Sequence, residues 1–318
     1  MTPFFEYIRV NGSVPPPQDD RIDVAILDMN HNWPNVGHDS VIRTVREAAE
    51  WYQGSGLVVR AVSFDVRGSL QIPEAGRFKL FLGTGGPGHL DPRLNDGEAP
   101  WSQGVTESAA WEAPLFSLFD DVFADESASL LAICHSFGLL CRWANVADAV
   151  LREEKSSGMP TNALSDAALD DPWFGRFAHQ LPDGRHFYVV DNRLFDLVTT
   201  RRDETAIAFE DETSDGLTMV QLARDAAGMP RVFGANHHPE IVDREHIMTV
   251  LERKLNHGEV SDDWYEERAS TMRELFTGER ERQSRLTSEY TLLAPLRHHL
   301  GKLVAERDEV GSNVSSAV

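Results

Sequence analysis

Leu130-Leu131-Ala132-Ile133-Cys134-His135-Ser136 is the stretch from which the fold is read. An apolar run ends on a cysteine, and small and helix-compatible residues follow at once. The reading is a strand over Ser129–Ile133, a sharp turn at Cys134 and a helix over Ser136–Ala144. That is the geometry of a nucleophile elbow, in which the turn lifts one side chain above the end of a sheet. Positive potential at the N-terminus of the following helix favours a reactive thiolate there. Ala132 and Ser136 are small, as such a turn requires. Cysteine is also among the most buried residue types, so this stretch taken alone suits a buried strand-end cysteine more often than a nucleophile. Cys141, deeper in the helix, is read as core.

Upstream of the elbow, short apolar runs alternate with helical spacing. Ile22–Leu27, Leu57–Phe64 and Phe78–Leu82 read as strands, and Asp39–Gln53 and Ala113–Phe123 as helices. Apolar strands separated by helices predict a mostly parallel sheet covered on both faces. The segment 150–184 is mixed and poorly periodic. From His186 the runs His186–Asp191, Leu194–Thr199, Thr205–Glu210, Gly216–Ala223 and Arg231–Ala235 are separated by turn residues, which predicts antiparallel additions completing the sheet. Beyond Pro239-Glu240 the pattern is helical. Ile247, Val250, Leu251 and Leu255 share one face, and two amphipathic stretches follow over 262–290 and 291–309. The tail Gly311–Val318 reads as frayed. The expected organisation is an extended N-terminal lead-in over 1–20, ending in Pro15-Pro16-Pro17, an α/β domain over 21–257 and a helical extension over 258–318.

A net charge of −21, from 51 acidic and 30 basic residues, disfavours nucleic acid and anionic membranes as partners. Two cysteines in 318 residues suit a reducing compartment. Residues Met1–Glu6 lack a basic segment followed by an apolar run, so no secretory leader is expected. The expected location is the cytoplasm. Histidines occur as the adjacent pairs His237-His238 and His298-His299, and as His31 and His38. Neighbours in sequence rarely face one ion, so no metal site is expected.

Two further motifs stand at predicted strand ends. Gly85-Gly86-Pro87-Gly88 follows Phe78–Leu82, and glycines let backbone amides approach a ligand or an oxyanion. His238-Pro239-Glu240 follows Arg231–Ala235. A thiol nucleophile needs a base, and the base needs an orienting group. Pro239 keeps its predecessor extended, so His238 and Glu240 can supply both. Ligand sites of open α/β sheets lie at such strand ends.

The order glycine loop, cysteine elbow, His-Pro-Glu resembles the class I glutamine amidotransferases, over about residues 22–257. That family's elbow reads Gly-x-Cys-x-Gly-x-Gln. The resemblance implies a flavodoxin-like open sheet and a glutaminase without a cofactor. It implies a thioester on Cys134, His238 as base and Glu240 as its orienter. Gly85, Gly86, Gly88 and His135 would serve as oxyanion or substrate-binding residues, through backbone amides near Gly86 and His135. The two elbow glycines are Ala132 and Ser136 here, and the family's substrate-holding glutamine is Gly138. Cys134 and His238 are 104 residues apart, long for the family. No synthetase domain is visible, so ammonia would go to a partner subunit or a separate acceptor. The C-terminal helices offer a homodimer surface. Two alternatives stay open: a cysteine hydrolase or acyltransferase of the same superfamily with a non-glutamine substrate, and a relative that binds without catalysis.

Overall fold

The computed structural model describes residues 3–33, 35–256, 258, 260–276 and 278–315, leaving aside the side chains of His246, Val250, Lys254, Thr271, Leu275 and 308–315. Pro34, His257 and residues 316–318 of the tail therefore lie outside the described residues, as does the side chain of Val250 in the predicted apolar face.

The strands are β1 (Phe5–Arg9), β2 (Arg21–Asp28), β3 (Val58–Asp65), β4 (Leu80–Gly83), β5 (Ser129–Ile133), β6 (Asp148–Gly158), β7 (Thr161–Leu164), β8 (His186–Tyr188), β9 (Asp191–Val198), β10 (Ala206–Phe209), β11 (Leu217–Arg224) and β12 (Pro230–Ala235). The helices are α1 (Val36–Glu50), α2 (Glu112–Ala124), α3 (His135–Ala144), α4 (Asp166–Asp170), α5 (Phe174–Ala178), α6 (Arg244–Asn256), α7 (Asp262–Leu275), α8 (Gly278–Ser288) and α9 (Ala294–Ser315).

Ten strands form one sheet in the order β1-β3-β2-β4-β5-β12-β11-β10-β7-β8. The pairs from β1 to β12 are parallel. Those from β12 to β8 are antiparallel. This is the flavodoxin-like open α/β sheet with antiparallel additions that the sequence predicts. Every residue of β3, β4 and β5 is buried, which is why β4 and the Leu130–Ile133 run of β5 are continuously apolar rather than alternating.

Helices cover both faces. On one side Val41, Val45, Phe174, Phe177, Leu296 and Leu300 pack with Ile26 and Phe233. On the other, Trp111, Leu115, Phe119, Phe137 and Leu140 pack with Phe81 and Leu130. Fully burying one such Phe or Leu contributes on the order of 1.5–3 kcal/mol. Helix α9 thus lies in the main core, and the Tyr52 hydroxyl donates to the Arg297 carbonyl at 2.7 Å. Helices α6 and α7 share a smaller cluster of Ile247, Leu251, Phe276 and Met159, with Trp264 packed against it.

Four details differ from the sequence reading. The lead-in is extended, but Phe5–Arg9 pairs with β3 as an edge strand. The segment 150–184 holds β6, β7, α4 and α5. Strand β9, read as part of the sheet, instead pairs with β6 in a separate two-stranded ribbon. The helical C-terminus breaks after Leu275, turns through a π-helical segment over Glu289–Leu293, and continues regular to Ser315, past the residue where fraying was expected.

Candidate active site

Cys134 caps α3 with φ 52 and ψ −103, a conformation in which a side chain is strained by roughly 1–3 kcal/mol. Its N–H donates to the Ala235 carbonyl at 2.7 Å, and its carbonyl accepts from Gly138 N at 3.0 Å. Ser136 locks the turn from inside: its hydroxyl accepts from Ile133 N and donates to Ile133 O, both at 2.9 Å. The hydroxyl occupies the space beside Gly83, where a Cβ would stand 2.4 Å from Oγ. A serine where the family has glycine is thus accommodated by a glycine on the neighbouring strand. Cys134 is partly exposed, whereas Cys141 is fully buried and burial pushes its thiol far up.

His238 and Glu240 leave the end of β12, beside β5. The His238 backbone N–H donates to Val190 O at 2.8 Å, and the ring's Nδ1 lies 2.8 Å from Glu240 Oε1. The Glu240 side chain is fully buried. Burial opposes a charge on His238, but the Glu240 carboxylate bonded to the ring, and then Cys134, hold its pKa well above the usual histidine value. With Nδ1 on Glu240, Nε2 is left for the thiol. Gly37, near the start of α1, lets the carboxylate in: a Cβ there would stand 3.1 Å from Glu240 Oε1. The Asn35 side chain caps the same helix by accepting from Gly37 N at 2.7 Å.

The glycine loop follows β4. A Cβ on Gly85 would stand 2.9 Å from His238 Cε1, 3.4 Å from Cys134 Cβ and 3.7 Å from its Sγ. On Gly86 it would meet the Met29 carbonyl at 2.4 Å. Gly88 has φ +85, and its N–H is engaged by Gln103 Oε1 at 2.9 Å. The loop is braced by Arg67, whose buried guanidinium donates to Pro87 O at 2.7 Å and Met29 O at 3.0 Å. Arg67 also makes a two-pronged pair with Glu107 at 2.6 and 2.9 Å. Arg67 and Glu107 carried no sequence signal, because an arginine after a strand and a glutamate in a loop read as surface charge.

The amide of His135 opens α3 and has no acceptor within the helix. Its side chain is 3% exposed with Nε2 unpartnered, and burial, then Arg67, hold its pKa well below the ordinary value. His237 is buried with both ring nitrogens unpartnered, and burial lowers it to about 3.

These motifs surround one cavity of about 410 Å³, lined by Cys134, His135, His238 and Gly85 through Gly88. Asn30 and Trp33 enter from the loop after β2. Residues 192–195 of β9, Lys155 of β6 and Trp264 of α7 close the remaining side. The position of the family's substrate-holding glutamine is tightly filled: a Cβ on Gly138 would stand 2.4 Å from Leu90 Cδ1.

Among the described residues one group could approach a metal, Asp225, His298 and His299. Adjacent histidines do converge here, against expectation, but hydrogen bonds account for them. His298 Nε2 lies 2.6 Å from Asp225 Oδ2, His299 Nε2 donates to Pro230 O at 2.7 Å, and Lys302 approaches the same carboxylate at 3.5 Å. The cluster ties α9 to the β11–β12 turn. His31 and His38 part ways, to Glu107 and Ser63 respectively.

No family model and no curated protein matches the sequence. Among solved structures the chain is similar to SMU.1228c, at 15% identity and TM-score 0.51, over 87% of this chain and 99% of that one. It is also similar to a glutamine amidotransferase from Thermotoga maritima, at 12% identity and TM-score 0.49, over 88% and 98%. A third is the glutaminase domain of Trypanosoma brucei CTPS with bound acivicin, at 9% identity and TM-score 0.45, over 69% and 86%. The likeness to SMU.1228c is one of fold, and the open, mostly parallel sheet described above is the flavodoxin-like arrangement expected from the sequence. Among the described residues no helix is long and apolar enough to cross a membrane.

Proposed function

We propose that the protein is a cysteine-dependent amidase of the glutamine amidotransferase kind. Cys134 Sγ attacks a carboxamide carbon such as that of the glutamine side chain, and the S–C bond forms as His238 takes the thiol proton. The carbonyl oxygen becomes an oxyanion facing the amides of Gly86 and His135. Each such donor is worth about 10²–10³ in rate in comparable sites. The C–N bond then breaks, His238 passes its proton to the leaving nitrogen, and ammonia departs to a partner subunit or a separate acceptor. Water attacks the thioester with His238 accepting its proton, the C–S bond breaks and a carboxylate is released. Glu240 holds the ring in the tautomer this shuttle needs. The observation that supports the reading most is the chain of contacts from Glu240 through His238 to a cysteine held at positive φ above the sheet.

A second reading, a cysteine hydrolase or acyltransferase with another acyl substrate, is favoured by Leu90, which fills the place beside Gly138. Intact-mass spectrometry with a glutamine-mimicking chloroketone separates the two. One adduct, absent from Cys134→Ala, is the expected result. No adduct on a protein whose Cys134 still reacts with iodoacetamide would sink glutamine as the substrate and leave the second reading.

A further inference from the structure

The chain carries 51 Asp and Glu against 30 Lys and Arg, yet among the described residues no carboxylate side chain lines the cavity around Cys134. Apart from the reacting pair and the neutral His135, its ionisable wall consists of Arg193 and Lys155. Arg193 is 4% exposed and already neutralised, with Glu210 at 2.8 Å, Asp191 at 3.2 Å and Asp196 at 3.6 Å. Lys155 makes no ion pair among the described residues. It stands in an irregular stretch of β6: Leu151 pairs with Phe195 and Ser156 with Arg193, so residues 152–155 oppose Leu194 alone. Such bulges re-aim side chains, and the strand opposite, from Asn192 to Phe195, forms the cavity wall. Lys155 lines the cavity while remaining exposed to solvent. Desolvation first, and then Arg268, lower its pKa, while Cys134 and Asp191 pull the other way.

We infer that the cavity selects its substrate by a carboxylate remote from the scissile carbonyl, held by Lys155, and that it makes no use of a substrate ammonium. This rests on the amidase reading above and narrows it to a substrate class: carboxamides bearing a distal carboxylate, with or without an amino group. An ammonium drawn into this wall would lose water and find no counter-charge, whereas a carboxylate would meet Lys155, the one cation among the described lining residues not already neutralised. Lys155 is thus a specificity-determining residue contributed by the β6–β9 ribbon, outside the ten-stranded sheet.

The test uses ammonia release from three probes: the monoamide of glutaric acid, which has the carboxylate without the ammonium; glutamine, which has both; and the neutral diamide. The wild type should use the monoamide at least as well as glutamine. Lys155→Met should raise KM for both carboxylate probes by about tenfold, the loss of one charge-assisted contact. It should leave kcat and the diamide unchanged, and Lys155→Arg should restore most of the effect. A KM unmoved by Lys155→Met, a shift equal on the neutral diamide, or a tenfold preference for glutamine over the monoamide would overturn the inference. If the wild type releases ammonia from none of the three, the amidase reading fails. Calorimetric titration of the monoamide into Cys134→Ala protein then decides the inference alone. Binding weakened tenfold by adding Lys155→Met upholds it, and unchanged or undetectable binding overturns it.

Discussion

Gly85→Ala isolates the geometry of the base and nucleophile from everything else in the cavity. The added methyl would lie 2.9 Å from His238 Cε1 and 3.4 Å from Cys134 Cβ. Ordinary carbon contact needs about 3.5–4.0 Å, so the imidazole must retreat by roughly half an ångström or more. It cannot do so and keep the 2.8 Å bond to Glu240, because the Glu240 side chain is fully buried and has no room to follow. Gly85 is not among the residues at positive φ, so the substitution adds a wedge and no backbone strain. A misplacement approaching 1 Å costs on the order of 10²-fold in rate, about 2.7 kcal/mol of barrier. Overpacking would cost stability about 1–3 kcal/mol, a Tm loss of several degrees that leaves the fold intact. The assay needs no substrate: the second-order rate of Cys134 alkylation by iodoacetamide at pH 7, beside a circular dichroism melt. The variant should melt cooperatively and react at least tenfold more slowly. A folded variant alkylated within threefold of the wild-type rate would refute the claim that His238 activates the thiol from this position.

Further outcomes follow from the same contacts. Glu240→Gln removes the charge that raises His238, so the ring's apparent pKa by NMR titration should fall; an unchanged value would remove Glu240 from its role. His237 and His299 are buried and lowered to about 3 and about 4. Their unfolded forms bind protons first, so their stabilisation is complete above the unfolded value near 6.5 and is lost as pH falls below it. Between pH 6.5 and 5 each should cost about 2 kcal/mol, before carboxylates titrate. Urea midpoints at the two pH values measure it, and His237→Gln should recover its own share, about 2 kcal/mol of the loss. Gly138→Gln should be severely destabilising alone because of Leu90, and Leu90→Ala in the same chain should recover most of the Tm. The homodimer expected through the C-terminal helices is tested by solution mass against the 35.6 kDa of one chain.

How much of this was readable beforehand depends on whether a residue's role is local. Strand β5 matched the predicted Ser129–Ile133 because all five positions are buried and the run is bounded by polar residues. The glycine loop, Cys134 and the His-Pro-Glu segment were legible because each sits at the end of such a strand. Strand β6 was not legible. Most of it is exposed, its sequence Asp148–Gly158 is charged and unpatterned, and its pairing with β9 spans dozens of residues. Lys155, one of several charges in that run, carries no sequence signal, although its place opposite β9 puts it on the cavity wall. Arg67 and Glu107 are 40 residues apart, and only the tertiary fold shows that they brace Pro87.

The elbow's departures from the family pattern fall into two kinds. Ser136 is offset: Gly83 makes room for it, and its hydroxyl supplies two hydrogen bonds that a glycine would not, so the turn and the nucleophile's placement survive. Gly138 is offset in space alone. Leu90 fills the volume, but an apolar methyl replaces a carboxamide, so whatever polar contact a glutamine would make to a substrate is gone rather than relocated to the same place. Polar recognition must then come from elsewhere on the wall. The cationic candidate not already neutralised is Lys155, on a ribbon that the parallel core does not require. Preserved turn chemistry beside altered recognition is the pattern expected when a nucleophile is kept and its substrate changed. Cys134 held at φ 52, Glu240 fully buried against His238 and the buried ion pair that braces the glycine loop are the features that favour the proposed catalytic reading over a relative that binds without catalysis.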